Sequence, residues 1–226
     1  MNRWLLVSIL VTVLSLVGPL YLYFGWPDLL KDPIPTHTNV AGEVDKWTPR
    51  EKILPQWLII PGGMAGLMGL FLLFPWLSPK GFEIDRFRPT FDFFMAVGTL
   101  LCAYIQLLFV LGSVQNIELD LNRWLLGGLS LFFALLGNRL GKVQRNFWMG
   151  VRTPWTLASE AVWIQTHRLT AWLWTAGGLV LALIAFAGLS VWLWLAGLLL
   201  MALSPVFYSL WLYKRLEKRG RLSSTL

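Results

Sequence analysis

Six apolar stretches, most of them close to the length of a bilayer crossing, constrain this chain more than any other feature. They run Trp4–Phe24, Ile53–Leu77, Phe91–Ser113, Trp124–Gly137, Thr170–Leu189 and Val191–Tyr213. About 20 residues of helix cross ~30 Å of hydrocarbon, and only helices or closed barrels satisfy their own backbone polar groups there. The sequence therefore predicts an all-α, polytopic bundle of six transmembrane helices, with a structured cytoplasmic loop between the fourth and fifth. The fourth stretch is short and is expected to draw in Leu119, Leu121 and Leu140. The fifth and sixth are joined through Gly188–Ser190 as an antiparallel hairpin. The first continues past Gly18–Pro19 to Phe24 without a small-x-small cleavage pattern, so it reads as a retained anchor rather than a signal peptide. Composition agrees: 14% of residues are charged and mean hydropathy is +0.61, whereas soluble domains carry about 25% charged residues.

Basic residues give the expected orientation. The N-terminus, the Ser78–Arg88 loop, the Asn138–Arg168 loop and the C-terminal tail hold Arg3, Lys80, Arg86, Arg88, Arg139, Lys142, Arg145, Arg152, Arg168, Lys214, Arg215, Lys218, Arg219 and Arg221. The other side holds Lys31, Lys46, Arg50, Lys52 and Arg123. The positive-inside bias places both termini and the Asn138–Arg168 loop in the cytoplasm, and the Gly25–Lys52 loop outside. Anionic inner-leaflet lipid accounts for the net charge of +7, so no nucleic-acid partner is implied. Within the stretches the ionisable residues are Asp92 and Arg123, both at edges, which disfavours a coupled pump built on intramembrane charge. Asp92, beside Pro89 and Thr90, reads as a cap of the third helix. Cys102 is the lone cysteine, so no internal disulfide forms, and it reads as a packed small residue.

Gly62 and Gly66, with Ala65 and Gly69 in the next register, give small-xxx-small spacing in the second stretch. This predicts a helix–helix contact inside the chain, and a homodimer seam is the other use of the same spacing. Pro61, Pro75 and Pro205 read as kinks or ends. In the outer loop, Pro33 and Pro35 enforce extended backbone and Gly42 a turn, with Trp47 at interface depth, which makes it a built loop. His37 with Asp32, Glu43 and Asp45 supplies metal-ligand chemistry, but with no second His or Cys nearby a solvated loop is the reading adopted and no metal is predicted.

The segment from Asn138 to Arg168 is too polar for hydrocarbon and too rich in Trp, Gly and Pro for a plain linker. Gly141 and Gly150 permit tight turns, Thr153-Pro154 starts an extended step, and Thr156 is expected to cap a helix whose first turn contains Ser159 and Glu160. On that helix Glu160, Trp163 and His167 share a face, with Trp163 and His167 in contact. One use of the segment is interfacial anchoring by Trp148, Trp155 and Trp163, with Lys142, Arg145 and Arg152 meeting lipid phosphates. Another is a recognition surface in which Arg152, Trp155 and Trp163 act as anchors for a soluble partner. Catalysis by His167 and Glu160 is disfavoured, because seven residues put them about 10 Å apart along a helix.

Two resemblances rest on these residues. Pro33, Pro35, His37, Gly42, Asp45 and Trp47 resemble the PxPxH…GxxDxW loop of an N-terminal membrane domain of unknown function. The later segment resembles the SdpI family through Gly137, Asn138, Leu140, Gly141, Lys142, Asn146, Gly150, Arg152, Thr153, Pro154, Trp155, Thr156, Leu157, Ser159, Glu160, Trp163, Thr166, His167 and Arg168. The two divide the chain into a two-helix module over 1–88 and a four-helix module over 89–226. The resemblance implies a bacterial cell-membrane protein giving immunity to a secreted peptide toxin and relaying its presence to a cytoplasmic repressor, with no cofactor. The expected partner- or ligand-binding residues are Asn138, Lys142, Asn146, Arg152, Thr153, Pro154, Trp155, Glu160, Trp163 and His167, with Pro35, His37, Gly42 and Asp45 outside. The alternative is an enzyme or carrier acting on a lipid-like substrate at the inner interface.

Overall fold

The apolar stretches fold as helices, but the fifth begins earlier than expected, the sixth runs past Tyr213 to Lys218, and Leu119 stays outside the fourth. In the computed structural model, which describes residues 3–39, 42–80, 82–220 and 222, α1 spans Arg3–Gly25, α2 Leu54–Leu77, α3 Arg88–Gly112 and α4 Leu121–Leu140. A short helix α5, Pro154–Ala158, leads into α6, Glu160–Phe186, and α7 covers Val191–Lys218. Helix α6 starts at Glu160 rather than Thr170, because the polar residues ahead of Thr170 continue the same helix out of the apolar layer. Arg221 of the C-terminal basic group lies outside the described residues. Among the described residues, five helices have the length and hydropathy of a membrane crossing: α1, α2, α3, α6 and α7. Their outer faces carry Leu14, Leu183, Leu200 and Phe207, each more than two-thirds exposed, a surface suited to lipid rather than water.

Helix α4 contains Asn122, Arg123, Asn138 and Arg139 and is not among those five, yet it lies antiparallel along α6 at backbone contact. Gly127, Ser130, Ala134 and Gly137 form one buried stripe of α4. Gly178, Ala182 and Ala185 are buried on α6. A Cβ on Gly178 would sit 2.7 Å from Ala134 N and Ser130 O, and one on Gly137 2.5 Å from Thr175 N. Small residues let backbones approach where no hydrophobic force separates helix from lipid. The seam expected on α2 is elsewhere: a Cβ at Gly62, Gly66 or Gly69 would meet nothing within 4 Å. Helix α2 buries Trp57, Pro61 and Met64 instead, which turns its glycines away from the chain.

Two prolines inside helices have partners that the sequence did not suggest. Proline at 61 cannot donate to the carbonyl of Trp57, four residues back; Gln106 of α3 donates its Nε2 to that oxygen at 3.2 Å. Proline at 205 frees the carbonyl of Met201 in the same way, and Trp174 of α6 donates its indole N–H there at 3.2 Å. Each side chain replaces a bond that hydrocarbon would leave unmade. Asp92 is also corrected. Helix α3 begins at Arg88, so Asp92 falls past its first turn, is 4% exposed, and pairs with Arg88 Nε at 3.0 Å.

The outer loop contains two strands, β1 (Ile34–Thr38) and β2 (Val44–Thr48), paired antiparallel. It is fixed to the helix ends. Lys31 Nζ donates to the Gly112 and Ile117 carbonyls at 2.8 and 3.0 Å, covering the C-terminal end of α3. Asn122 at the start of α4 meets Thr38 and Asn39 near the tip. The opposite end of the bundle gathers the 78–88 connection, the 141–153 segment, α5 and the last turns of α7.

Candidate functional site

The 141–153 segment is folded against the bundle by its own polar side chains. Asn146 has no exposed surface. Its Oδ1 accepts from Trp148 and Met149 N–H at 2.7 and 2.9 Å, while its Nδ2 donates to the Gln144 and Met149 carbonyls at 2.8 and 3.2 Å. A side chain that closes this many local bonds dictates the turn around it. The turn delivers Trp148 onto Phe74 of α2, stacked at 4.4 Å, with its indole N–H donated to Ser78 Oγ at 2.8 Å. Arg145 lies over Phe82 and donates to the Leu157 carbonyl.

Trp163 and His167, one turn apart on α6, stack at 4.0 Å as their spacing predicts. Both are 1% exposed. Trp163 donates its indole N–H to the Val143 carbonyl at 2.8 Å. His167 accepts at Nε2 from Val151 N–H at 3.0 Å, and its Nδ1 lies 2.9 Å from the Trp163 carbonyl. An acceptor at Nε2 and a donor at Nδ1 describe the neutral ring with its proton on Nδ1. Gly150 makes this approach possible, with φ at +100° and a position where a Cβ would collide with His167 Nε2.

A hydroxyl cluster joins the loop to α7. Thr153, not Thr156, caps α5: its Oγ1 accepts from Thr156 N–H at 3.2 Å, and Thr156 Oγ1 accepts from Thr153 N–H at 2.9 Å. This reciprocal box places Thr156 inside the helix rather than ahead of it. Thr153 Oγ1 also meets Ser209 Oγ at 3.0 Å. Ser159 breaks α5 from α6 with extended backbone, and Glu160 stands exposed in the first turn of α6, where its charge meets the positive end of the helix dipole.

The predicted residues therefore fall into two groups. Asn146, Thr153, Trp163 and His167 are buried, whereas Asn138, Lys142, Arg152, Pro154 and Glu160 are exposed and Trp155 is half-buried. Trp163 is not an anchor for a soluble partner, because its ring and indole N–H are enclosed by the loop. Arg152 donates to the Phe147 carbonyl. Outside, His37 Nδ1 lies 2.5 Å from Asp45, Asp32 accepts from Arg50 N–H and Glu43 meets Asn39, so the four candidate ligands do not converge. Gly42 adopts φ +90° beside Asn122, and Pro35 lines a small recess under β1 with Gln56 and Gln106.

Sequence reasoning missed the receiving groups: Ser78, Val143, Val151 and Ser209. It also missed a groove over α3. Helices α2 and α4 both pack on α3, and between them lies a cavity of about 420 Å³ lined by Leu67, Phe71, Phe94, Gly98, Phe132, Leu136, Leu140 and Trp174, with Met149, Gly150 and Val151 at its base. Arg152, Glu160 and His167 do not line it.

The model of the SdpI/YfhL protein family matches residues 142–209. The Immunity protein SdpI of Bacillus subtilis (strain 168) is 26% identical over 185 residues, covering 80% of this chain and 81% of that protein. No solved structure matches the chain. The matched segment starts at the folded loop and ends at Ser209, the residue that ties α7 to that loop, and the likeness to a family member continues through most of the remaining helices. This integral membrane protein is thus similar to the SdpI/YfhL family over residues 142–209, and to one immunity protein over most of its length.

Proposed function

We propose that this protein confers immunity on a bacterium against a secreted, membrane-active peptide toxin, acting from the cell membrane with both termini and the 141–153 loop in the cytoplasm. The observation that carries the reading is the likeness to an immunity protein over four-fifths of both chains. The geometry supports it in two ways. A hairpin pinned to α3 and α4 by Lys31 and Asn122 gives a fixed outer surface for a peptide to meet. The five long apolar helices, with α4 packed along α6, give a scaffold against which the 141–153 loop is held through Ser78 and Ser209. Expression in a toxin-sensitive bacterium lacking its own immunity gene tests the proposal: survival should rise for one class of secreted membrane-active peptide. Unchanged killing by every such peptide counts against it.

The relay to a cytoplasmic repressor belongs to the same reading and falls to the exposed group. Arg152, Pro154 and Trp155 form a short accessible step on the buried frame, and Arg and Trp are residues that dominate binding energy. Affinity capture from native membranes should lose a specific soluble partner in the Arg152→Ala, Trp155→Ala variant; an unchanged set of partners leaves these residues as interfacial anchors. The enzyme or carrier alternative gains less support. Both nitrogens of His167 are engaged by backbone groups, and Glu160 is in solvent.

A further inference from the structure

We propose that the groove between α2 and α4 is a site for an anionic phospholipid, with one acyl chain lying over Gly98 of α3 and the headgroup at the basic rim beside the 141–153 loop. This goes beyond the immunity reading and does not depend on it. The lining is aliphatic and aromatic, with Phe71, Phe94, Leu136 and Trp174 around about 420 Å³, a volume within the ~300–1,000 Å³ of ligand sites. Two of the polar groups there are already committed: Trp174 donates its indole N–H to Met201 on the far side, and Val151 donates its N–H to His167. A peptide strand in this space would bury backbone N–H and C=O groups with no partners, which hydrocarbon surroundings penalise. An acyl chain brings none. Gly98 keeps the groove open, since a Cβ there would meet one atom, Leu67 Cδ2, at 3.6 Å.

Charge selects the headgroup. Lys142 follows the lining residue Leu140 by two, and Arg152 directly follows the lining residue Val151. Among the described residues neither of these two cations is in an ion pair. Unpaired cations at the rim of an apolar groove complement a phosphate above an acyl chain.

The test uses the full chain in nanodiscs containing phosphatidylglycerol or phosphatidylcholine with a photoactivatable acyl chain, and maps the labelled peptides. Label should concentrate on the peptides holding Phe71, Leu136 and Met149, and exceed that on the lipid-facing peptide holding Leu200. Gly98→Phe and, separately, Leu136→Trp should abolish this excess while label at Leu200 stays. Replacing Lys142 and Arg152 by Gln should reduce the preference for phosphatidylglycerol by roughly fivefold or more. Groove label no denser than at Leu200, or unaltered in both filled variants, overturns the site. Equal label from the two lipids in the parent protein overturns the headgroup assignment.

Discussion

Gly150 shows how little room the loop leaves beside His167. Its φ of +100° and the place of His167 Nε2 leave no space for a side chain. Gly150→Ala should lower stability by about 2–4 kcal/mol, from backbone strain and the displaced Val151–His167 bond. Gly141→Ala is the matched control, because a Cβ there would meet Ala171 Cβ at an ordinary 3.5 Å. Unfolding of both variants in detergent checks this, and equal stability would overturn the geometry. The contact of Trp163 with His167 was legible because helical period alone brings the two together. Their burial was not, because the covering groups at Val143 and Val151 come from a loop whose path depends on Asn146. A Trp in an interfacial segment reads equally well as an anchor or as core until the strand of chain that covers it is known.

Each long helix was legible as an apolar run, but the way one helix meets another was not. Small-xxx-small spacing pointed to α2, whereas the close approach is between α4 and α6, where Gly127, Ala134 and Gly137 are spread over a stripe that mixed spacing conceals. Gly178→Ala should destabilise the protein by about 1–3 kcal/mol or more, since the added carbon meets Ala134 and Ser130 backbone that cannot yield. Gly62→Ala should leave stability unchanged or raise it by up to about 1 kcal/mol through helix propensity. If the two behave alike in detergent unfolding, the assignment of the seam is wrong. The proline-freed carbonyl gives a sharper test. Gln106→Leu should cost about 1 kcal/mol in the parent chain and less in a Pro61→Ala background, where the helix regains its own donor to the Trp57 carbonyl. A double-mutant cycle with no coupling between positions 61 and 106 would show that Gln106 acts elsewhere.

For the molecule as a whole, the apolar runs and the distribution of Lys and Arg carried most of what the sequence could say. The structure adds that the loops sort to two ends: the β1–β2 hairpin is tied to the α3–α4 connection, and the 141–153 loop is tied through Ser78 and Ser209 to the ends of α2 and α7. Which end faces the cytoplasm is then a single question for all loops together, and the charge count gives one expectation for it, because fourteen of the nineteen Lys and Arg residues belong to one group. That asymmetry predicts inward placement of the 141–153 loop. It can be read in a Cys102→Ala background with one new cysteine at a time, at exposed positions whose side chains lie outside the packed core. Lys46→Cys in β2 should react with a membrane-impermeant maleimide added to intact cells, whereas Arg152→Cys and Lys218→Cys should react after the membrane is opened. Labelling of Arg152→Cys from outside would invert the whole arrangement, since the ties between loops allow no half of the bundle to turn over alone.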